Sequence, residues 1–541
     1  MSERDFPLPM SDAAAQFPIG AELPCEPPAA EVAGTASREK SRLWLELLKW
    51  AFSFPALLAT ALVGAAFYRA RQFILDPDVW WHIKNGETIL ATHRWPTSDP
   101  YSFTVHGFPW IAFEWLGEVL LAFVFRLGGV RGLEFLLFVL GSAILLALYA
   151  YGTICSGKSK AGFLAAALLM PLVASQFNMR PQMVGYLFLV LTMIILARFR
   201  QGKPGTLWLL PLLMLVWINS HGSWVIGMGV LFAYWIAGLF EFQVGGIEAK
   251  KWSPMERQQI SFAFLLSLAL LPVNPYGTEL PAFPFRVAAG YPVAQANVLE
   301  WHPMPFNEAG GKLFLILVLG FVVLQIAGRF SWRLEELALC LFGIATACIH
   351  VRFVLLFVPF FTPFLAGVFA RWLPVYFRDK DKYILNGILM ASVVAAVVHY
   401  YPTQANLEKQ IVDRFPVKAV EYIRQHPAPS PMFDSYAFGG YLVWSGQRVF
   451  IDGRGELYED GGVMLDYVQL VLLRPGGLDV LRRYQIQSCL LERDEPLGTV
   501  LAALPEWQKV YSDTTSTLFV RRSTAPASAP QSEKQRPAHG E

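Results

Sequence analysis

Long apolar segments of helical length constrain the fold of this chain more than any other feature. Only 16% of its 541 residues are charged, whereas a soluble domain usually has about a quarter. The sequence therefore predicts an α-helical polytopic membrane protein with about eleven transmembrane helices. The segments lie at about 44–68, 133–151, 161–177, 183–197, 207–218, 225–242, 260–273, 313–327, 334–349, 353–370 and 384–400.

The basic residues predict how these segments are oriented. If the short apolar stretch 115–127 is an interfacial or re-entrant helix that does not cross, all the basic clusters fall on one side, which the positive-inside rule makes the cytoplasm. Counting that stretch as a crossing would reverse them. The N-terminus is then inside, and the loop 69–114 and the C-terminal region are outside. The clusters are Arg38–Arg42, Lys158/Lys160, Arg198/Arg200/Lys203, Lys250/Lys251/Arg257, Arg329/Arg333 and Arg371/Arg378/Lys380/Lys382.

Composition divides the chain into four parts. Residues 1–42 and 523–541 are rich in Ala, Pro and polar residues and are predicted to be disordered tails, the first of them cytoplasmic. Residues 43–402 form the transmembrane domain. Residues 403–522 carry ordinary charge and are predicted to form a small extracytoplasmic α/β domain. Its predicted helices are 415–423, 474–484 and 496–504, and its predicted strands are 440–444, 448–451, 488–491 and 517–520.

Several classes of function lack their usual signatures. The net charge of +2 gives no electrostatic basis for binding nucleic acid. The chain has no Gly-rich or P-loop nucleotide motif, no HExxH and no GxSxG. Its five cysteines form no CxxC pair and have no histidine at zinc-ligand spacing.

Polar residues gather at the predicted outer ends of the segments. Each ionisable side chain within a membrane segment costs about 2.5–3.5 kcal/mol on insertion scales, so such residues usually have a function. Their gathering on one side predicts a single polar site open to the exterior. The residues are Asp76, Asp78, His82, Glu114, Asn178, Arg180, Asn219, His221, Asn274, Glu300, His302, His350 and Arg352.

The stretch Asp76-Pro-Asp-Val-Trp-Trp-His82 is the centre of this group and has two interpretations. Asp-Pro-Asp could end one helix, with Asp78 capping the next. Alternatively, one aspartate is a general base and its neighbour binds a divalent cation such as Mg or Mn or orders the site. Trp80 and Trp81 are first an interfacial anchor and second a stacking surface for a sugar ring.

The remaining candidates also have a structural alternative. Arg180 either extends toward the membrane surface or binds a phosphate oxygen with two N–H groups. His350 and Arg352 join two segments with almost no loop, and phosphate binding and simple anchoring are equally supported there. His221 either lines the site or belongs to an outward-facing turn. The long loop 274–312, with Glu300, could cover a substrate.

Two further motifs are predicted to be structural. Asn274-Pro-Tyr-Gly277 has the composition of a turn. Asp452-Gly-Arg454 follows a predicted strand and is interpreted as a turn with an ion pair.

The order of features resembles the GT-C superfamily of membrane glycosyltransferases, which includes protein O-mannosyltransferases and the bacterial Rgt-type and aminoarabinose transferases. After the acidic first loop come Glu114-Trp-Leu, the turn Gly128-Gly-Val-Arg-Gly132 and the segment end Asn178-Met-Arg-Pro-Gln182. The resemblance covers roughly residues 44–400. More narrowly, the chain is similar to a bacterial branch with a DPDxWWH loop and a terminal GGYLxW…FIDGR region.

The resemblance implies a sugar donor linked to polyprenyl phosphate and used outside the bacterial cytoplasmic (inner) membrane. It implies Asp76 or Asp78 as the catalytic base. Under it Arg180 and Arg352 become candidates for holding the lipid phosphate. The further substrate-binding candidates, which gather at the same predicted site, are His82, Glu114, His221, Glu300 and His350. The acceptor is a lipid, glycan or protein.

Two other functions remain open on the sequence. A transporter or flippase of lipid-linked sugar would use the same charges, but it should show repeated halves and polar groups near the bilayer midplane. No convincing internal repeat is found. A non-catalytic scaffold would act through its terminal domain alone.

Overall fold

The computed structural model describes residues 42–71, 76–328 and 330–522. The tail predicted at 523–541 and all but the last residue of the tail predicted at 1–42 lie outside the described residues, as does Arg329. No side-chain statement is made for residues 288 and 289.

The part of the chain before residue 403 is almost wholly helical. A small sheet, β1 (Phe242–Val244), β2 (Ile247–Ala249) and β3 (Trp332–Arg333), pairs antiparallel between β1 and β2 and parallel between β2 and β3. The helices are α1 (Arg42–Ala51), α2 (Phe54–Ala70), α3 (Asp78–Thr92), α4 (Trp115–Ser156), α5 (Ser159–Ala174), α6 (Gln182–Arg200), α7 (Leu209–Ser220), α8 (Trp224–Ala237), α9 (Pro254–Leu270), α10 (Glu279–Gly290), α11 (Pro292–Asn297), α12 (Ala309–Gly328), α13 (Leu334–Ile349), α14 (Val354–Trp372) and α15 (Tyr383–His399).

Each of the eleven predicted apolar segments contains a helix, which makes this an integral membrane protein. Among the described residues, four helices are long and apolar enough to cross a membrane: α4, α6, α12 and the stretch Val351–Trp372 that contains α14. The count rises to six if the bent pair α1–α2 and the bent pair of α15 with the next helix each form one span. Eleven crossings, and the side each turn faces, stay predictions.

The helix α4 is broken at Gly129, whose φ of 55° and ψ of −143° are not helical. A Cβ on Gly132 would lie 2.7 Å from the carbonyl oxygen of Val124. In a continuous helix residues eight apart are separated by about 12 Å along the axis. The chain therefore turns sharply here, and the predicted helix 115–127 is a separate arm from the apolar segment that follows it.

Residues 404–522 build a mixed four-stranded sheet with helices against it. The strands β4 (Met432–Asp434), β5 (Ser488–Glu492), β6 (Trp507–Ser512) and β7 (Ser516–Arg521) lie in the order β4-β5-β7-β6, with β4 parallel to β5 and the other pairs antiparallel. The helices are α16 (Gln404–Arg414), α17 (Val417–Gln425), α18 (Tyr436–Trp444), α19 (Gly455–Asp460), α20 (Val463–Val471), α21 (Asp479–Arg483) and α22 (Pro496–Ala503).

Two of the predicted strands are wrong. Residues 440–444 lie in α18. The prediction failed because a short run that is apolar on every side has no periodicity that distinguishes a strand from a buried helix. Residues 448–451 form only an isolated bridge, between Val449 and Ser102 of the first loop. The predicted helix 474–484 is reduced to α21, whereas strands at 488–491 and 517–520 are confirmed.

The C-terminal region packs directly on the first loop. A Cβ on Gly440 would lie 2.2 Å from the carbonyl oxygen of Pro77, so only glycine fits there without a shift. The ring of Trp80 lies 5.2 Å from that of Tyr441 and 5.0 Å from that of Trp444, measured between centroids. The start of α3 is thus enclosed by α18.

Candidate active site

The first turn of α3 is fixed by Asp76. Its Oδ1 accepts a hydrogen bond of 2.9 Å from the backbone N–H of Asp78, which closes an Asx turn across Pro77. Pro77 is the N-cap residue of α3 and no side chain caps the helix there, so the interpretation of Asp78 as a cap is wrong, and Asp76 orders the turn before the helix. The carboxyl of Asp78 contacts Arg180 instead.

Arg180, in the turn between α5 and α6, binds three carboxylates. Its Nε lies 2.5 Å from Oδ2 of Asp76, its Nη2 lies 2.9 Å from Oδ2 of Asp78, and its Nη1 lies 3.0 Å from Oε1 of Glu300. The Nε–H is not directed at a hydrogen-bond acceptor, so its contact with Asp76 is an ion pair. The cluster reaches solvent through Glu300, whose side chain is 31% exposed, and Arg180, at 20%.

Burial and the charges of this cluster bring the pKa of one carboxyl, that of Asp78, close to neutral pH. Burial raises the pKa of Asp78 to about 7, although Arg180 acts in the opposite direction, and the charges of Asp76 and Glu300 add to the rise. Burial works against the charged form of Arg180, but Asp76 and Asp78 outweigh it and hold its pKa above the usual range. Asp78 can therefore exchange a proton near neutral pH.

A network of polar side chains lies beside this cluster and extends from α3 to the turn after α7. Nδ1 of His82 lies 3.2 Å from Oε1 of Glu118, and its Nε2 lies 3.6 Å from Oε2 of Glu114. The other oxygen of Glu114 lies 3.2 Å from Nε2 of His221. Nδ1 of His221 accepts the backbone N–H of Ser223 at 3.0 Å, so the ring proton is on Nε2 and is donated to Glu114.

Burial sets the protonation of the residues in this network. It lowers the pKa of His221 to about 3, and the charges of Arg352 and Arg180 add to the effect. It also lowers the pKa of His82 and raises that of Glu114, where the charge of Glu118 contributes. Both imidazoles are therefore neutral at neutral pH, and burial favours the protonated form of Glu114, which suits hydrogen bonding rather than charge binding.

The sequence predictions omit two residues of this network, Glu118 and Asn85. Both are fully buried, and Asn85 Nδ2 donates a 2.5 Å hydrogen bond to Oε2 of Glu118. The amide oxygen of Asn85 accepts from the hydroxyl of Tyr101 at 3.2 Å. The signal was helical spacing: Glu118 follows Glu114 by four residues and Asn85 follows His82 by three, which places each pair on one helix face.

His350 and Arg352 hold the turn that carries Glu300. Nδ1 of His350 lies 2.5 Å from the carbonyl oxygen of Trp301. The guanidinium of Arg352 lies 4.2 Å from the centroid of the Trp301 ring. Within the described ranges no carboxylate is close enough to pair with Arg352, and its charge acts on His221.

The two tryptophans are neither an exposed anchor nor an open sugar platform, which corrects both predictions. Trp80 is 2% and Trp81 5% exposed. Trp80 packs among aromatic rings of the C-terminal region, and Trp81 lies with its ring centroid 3.7 Å from that of His82. Their role is to fill the space behind the site.

Asn274 and its neighbours form the predicted turn. The side-chain oxygen of Asn274 accepts the backbone N–H of Tyr276 at 2.8 Å, and its amide donates to the carbonyls of Leu271 and Gly277. His302 contacts the carbonyl of Ala296 at 3.1 Å. The loop 274–312 is thus ordered by its own contacts and contains α10 and α11.

A cation between Asp76 and Asp78 would have to displace Arg180. The guanidinium already contacts one oxygen of each carboxylate. In the part of the chain that the structure describes, no group of three or more His, Cys, Asp or Glu side chains is arranged to hold a metal ion. These residues do not fit a cation as they stand, and a requirement for Mg or Mn stays a prediction.

The motif Asp452-Gly-Arg454 contains the predicted ion pair and extends it to the first loop. Arg454 Nη2 lies 2.6 Å from Oδ2 of Asp452, and Nη1 lies 2.7 Å from Oδ1 of Asp99. All three side chains are buried, and the hydroxyl of Tyr458 donates to Asp452 at 2.7 Å. We call Asp99, Asp452, Arg454 and Tyr458 the arginine clamp.

No protein-family profile and no curated protein matches the chain. Among solved structures it is similar to arabinofuranosyltransferase AftD from Mycobacteria, with 14% identity and a TM-score of 0.49 over 85% of this chain and 41% of that one. The chain thus spans about two fifths of the length of AftD. It is also similar to ArnT from Cupriavidus metallidurans bound to undecaprenyl phosphate, with 12% identity and a TM-score of 0.40 over 89% of this chain and 98% of that one.

Proposed function

We propose that this protein is an integral-membrane glycosyltransferase that moves a sugar from a polyprenyl-phosphate donor to an acceptor hydroxyl on the extracytoplasmic side. The observation that supports the proposal is the cluster of Asp76, Asp78 and Arg180 at the ends of apolar helices. The cluster contains a carboxyl that titrates near neutral pH, and Arg352, in the turn after α13, is a cation suited to phosphate. The order of motifs that resembles the GT-C superfamily agrees with it.

Asp78 is the better candidate for the base. Asp76 is committed to the turn that starts α3, whereas Asp78 contacts Arg180 through Oδ2, and among the described residues its side chain makes no hydrogen bond to the backbone. A base is most effective when its pKa is close to the working pH, and burial brings Asp78 to about 7. In the proposed step Asp78 removes the proton of the acceptor hydroxyl.

The hydroxyl oxygen then attacks the anomeric carbon of the donor from the face opposite the phosphate. A glycosidic C–O bond forms, the C–O bond to the phosphate breaks, and polyprenyl phosphate leaves with the bonding electrons. The configuration at the anomeric carbon is inverted. Arg352 is the cation we assign to the leaving phosphate, because Arg180 is already bound to three carboxylates.

A reconstitution assay tests this function. The full chain in lipid vesicles is supplied with radiolabelled polyprenyl-phosphate sugars, and release of free polyprenyl phosphate is followed. We expect Asp78→Asn to lower the release rate by at least about 100-fold, the lower end of the range for loss of a general base. Asp494→Asn, a change at an exposed residue of the C-terminal region, is the matched control and should leave the rate unchanged.

Two outcomes would contradict the proposal. Full activity in both Asp76→Asn and Asp78→Asn would rule out an aspartate base. Movement of intact donor across the vesicle membrane without release of polyprenyl phosphate would support the transporter alternative instead.

A further inference from the structure

The C-terminal region contacts the proposed base through Gly453. A Cβ at this position would lie 1.7 Å from Oδ1 of Asp78, so the backbone of Gly453 lies directly against that carboxyl. The helix α19 begins two residues later. Side chains of α19 therefore start within reach of the same site.

Contacts on two sides fix the position of α19. The arginine clamp joins its N-terminal end to the first loop through Asp99. At its other end, the carboxylate of Glu459 accepts two 2.8 Å hydrogen bonds from the backbone N–H groups of Val293 and Ala294, at the start of α11. The hydroxyl of Tyr291 donates to Asp460 at 3.1 Å. The helix is a bridge between the first loop and the loop 274–312.

Two side chains of this region carry an oxygen that has no hydrogen-bond partner among the described residues, although the backbone N–H of Glu456 bonds to its own carboxyl. Oε1 of Glu456, on α19, is shielded from solvent and has no hydrogen-bond partner among the described residues. The charges of Arg454, Asp452 and Asp78 act on Glu456, and its own charge acts on Glu114. The hydroxyl of Tyr436 lies 3.9 Å from the position of a Cβ on Gly455. Asp78, Arg180 and Glu456 all act on it, and within the described ranges it makes no hydrogen bond.

A buried carboxylate oxygen without a partner is costly, and such groups are rare in folded proteins. A ligand that brings hydroxyl groups would satisfy both Glu456 and Tyr436. A carboxylate accepts hydrogen bonds, and a phenol can donate or accept one, which suits adjacent hydroxyls of a sugar ring. The proposed mechanism requires the donor sugar to lie beside Asp78, where these two side chains are.

We propose that Glu456 and Tyr436 bind hydroxyl groups of the donor sugar, so that the C-terminal region supplies one wall of the sugar-binding site. This rests on the proposed function. It makes Glu456 and Tyr436 specificity residues, which the sequence does not indicate because they lie more than 350 residues from Asp78 along the chain. Burial raises the pKa of Glu456 to about 7, so its carboxyl both accepts and donates hydrogen bonds near neutral pH.

The test compares two lipids that differ only in the sugar. Binding of polyprenyl-phosphate sugar and of polyprenyl phosphate itself is measured on the full chain in detergent–lipid micelles, by thermal stabilisation as a function of ligand concentration. We expect Glu456→Gln to weaken binding of the sugar-bearing lipid about tenfold and Tyr436→Phe about fivefold. Binding of sugar-free polyprenyl phosphate should not change. Glu421→Gln and Tyr422→Phe, on α17 away from the site, are the matched controls.

The outcomes separate this inference from the proposed function. Unchanged affinity for the sugar-bearing lipid in both variants would overturn the inference, even if the wild type releases polyprenyl phosphate. An equal loss of affinity for both lipids would also overturn it, because it would indicate general damage to the site. Sugar-dependent loss in a protein that never releases polyprenyl phosphate would uphold the subsite and contradict the glycosyltransferase. If Glu456→Gln does not fold, Tyr436→Phe decides alone, because it removes only a hydroxyl.

Discussion

Arg180 balances the charges of three carboxylates with a single guanidinium. When Asp76, Asp78 and Glu300 are all ionised, their three negative charges face the single positive charge of Arg180, so the cluster has a net charge of −2. Such a cluster favours uptake of one proton. Burial raises the pKa of Asp78 to about 7, and the charges of Asp76 and Glu300 add to the rise. This is the physical reason why Asp78, rather than an isolated exposed aspartate, is suited to act near neutral pH.

The pH dependence of release follows from this balance. With a pKa of about 7, Asp78 is protonated and inactive below that value and ionised above it, so the rate should rise with pH through about 7 and then level off. Arg180 lowers the pKa of Asp78, so Arg180→Gln should move the inflection to higher pH. Arg180→Lys keeps the positive charge and should move it less. The measurement is the release rate between pH 5 and 9, and a downward shift in Arg180→Gln would contradict the assignment.

At the scale of secondary structure, the break in α4 decides where the acidic first loop ends. Glu114 and Glu118 lie at the start of the first arm, and the second arm begins after Gly129. A φ of 55° with a ψ of −143° is accessible to glycine and strained for residues with a Cβ. The turn, and with it the direction of the first arm, depends on that one glycine.

The variant pair Gly129→Ala and Gly128→Ala tests this dependence. Both positions are open, with nothing near an added Cβ, and only Gly129 has a positive φ. We expect Gly129→Ala to lower the free energy of unfolding by about 1–3 kcal/mol. Gly128→Ala should be neutral or slightly stabilising, since alanine is the better helix former. The readout is the midpoint of thermal unfolding in detergent, and equal midpoints would argue against strain at the break.

The sequence predicts the helices of the apolar segments well, because a membrane-length apolar run leaves the backbone no other way to satisfy its hydrogen bonds. It fails at α18, where the local pattern is compatible with both strand and helix and long-range packing against Pro77 decides. It also places Asp76, Asp78, Arg180 and Glu300 on one side, and the structure brings these four into contact. Their catalytic and binding roles stay predictions.

Other site residues could not be predicted because their environment depends on distant parts of the chain. Trp80 looks like an interfacial anchor until Tyr441 and Trp444 cover it. Glu456 looks like an ordinary helical glutamate until α19 is placed against Asp78. Glu118 was predictable in principle, since helical spacing from Glu114 is visible in the sequence, but only once that stretch is known to be helical.

At the scale of the whole molecule, the arginine clamp joins the first loop to the C-terminal region. The side chains of Arg454, Asp99 and Asp452 are fully buried. Removing one member of such a group leaves an uncompensated buried charge, which costs about 3–5 kcal/mol. The C-terminal region is therefore a part of the site's framework, which speaks against a scaffold whose terminal region acts alone.

Arg454→Met should lower the free energy of unfolding by about 3–5 kcal/mol and reduce release of polyprenyl phosphate with it. Asp99 and Asp452 would lose their partner, and Gly453 would no longer be held against Asp78. Arg482→Met is the matched control, because Arg482 pairs with Asp479 at an exposed position and such pairs contribute about 0–1 kcal/mol. Unfolding midpoints and release rates of the two variants provide the comparison, and equal effects would mean that the clamp contributes little.

The arginine clamp can form only late in synthesis of the protein. Arg454 follows Asp99 by 355 residues, so during synthesis the first loop emerges long before the residue that neutralises it. Asp99 is hydrated until then, and Gly453 and Glu456 can pack beside Asp78 only after synthesis has reached the last fifth of the chain. We therefore expect a chain cut short before residue 452 to release no polyprenyl phosphate in the reconstitution assay.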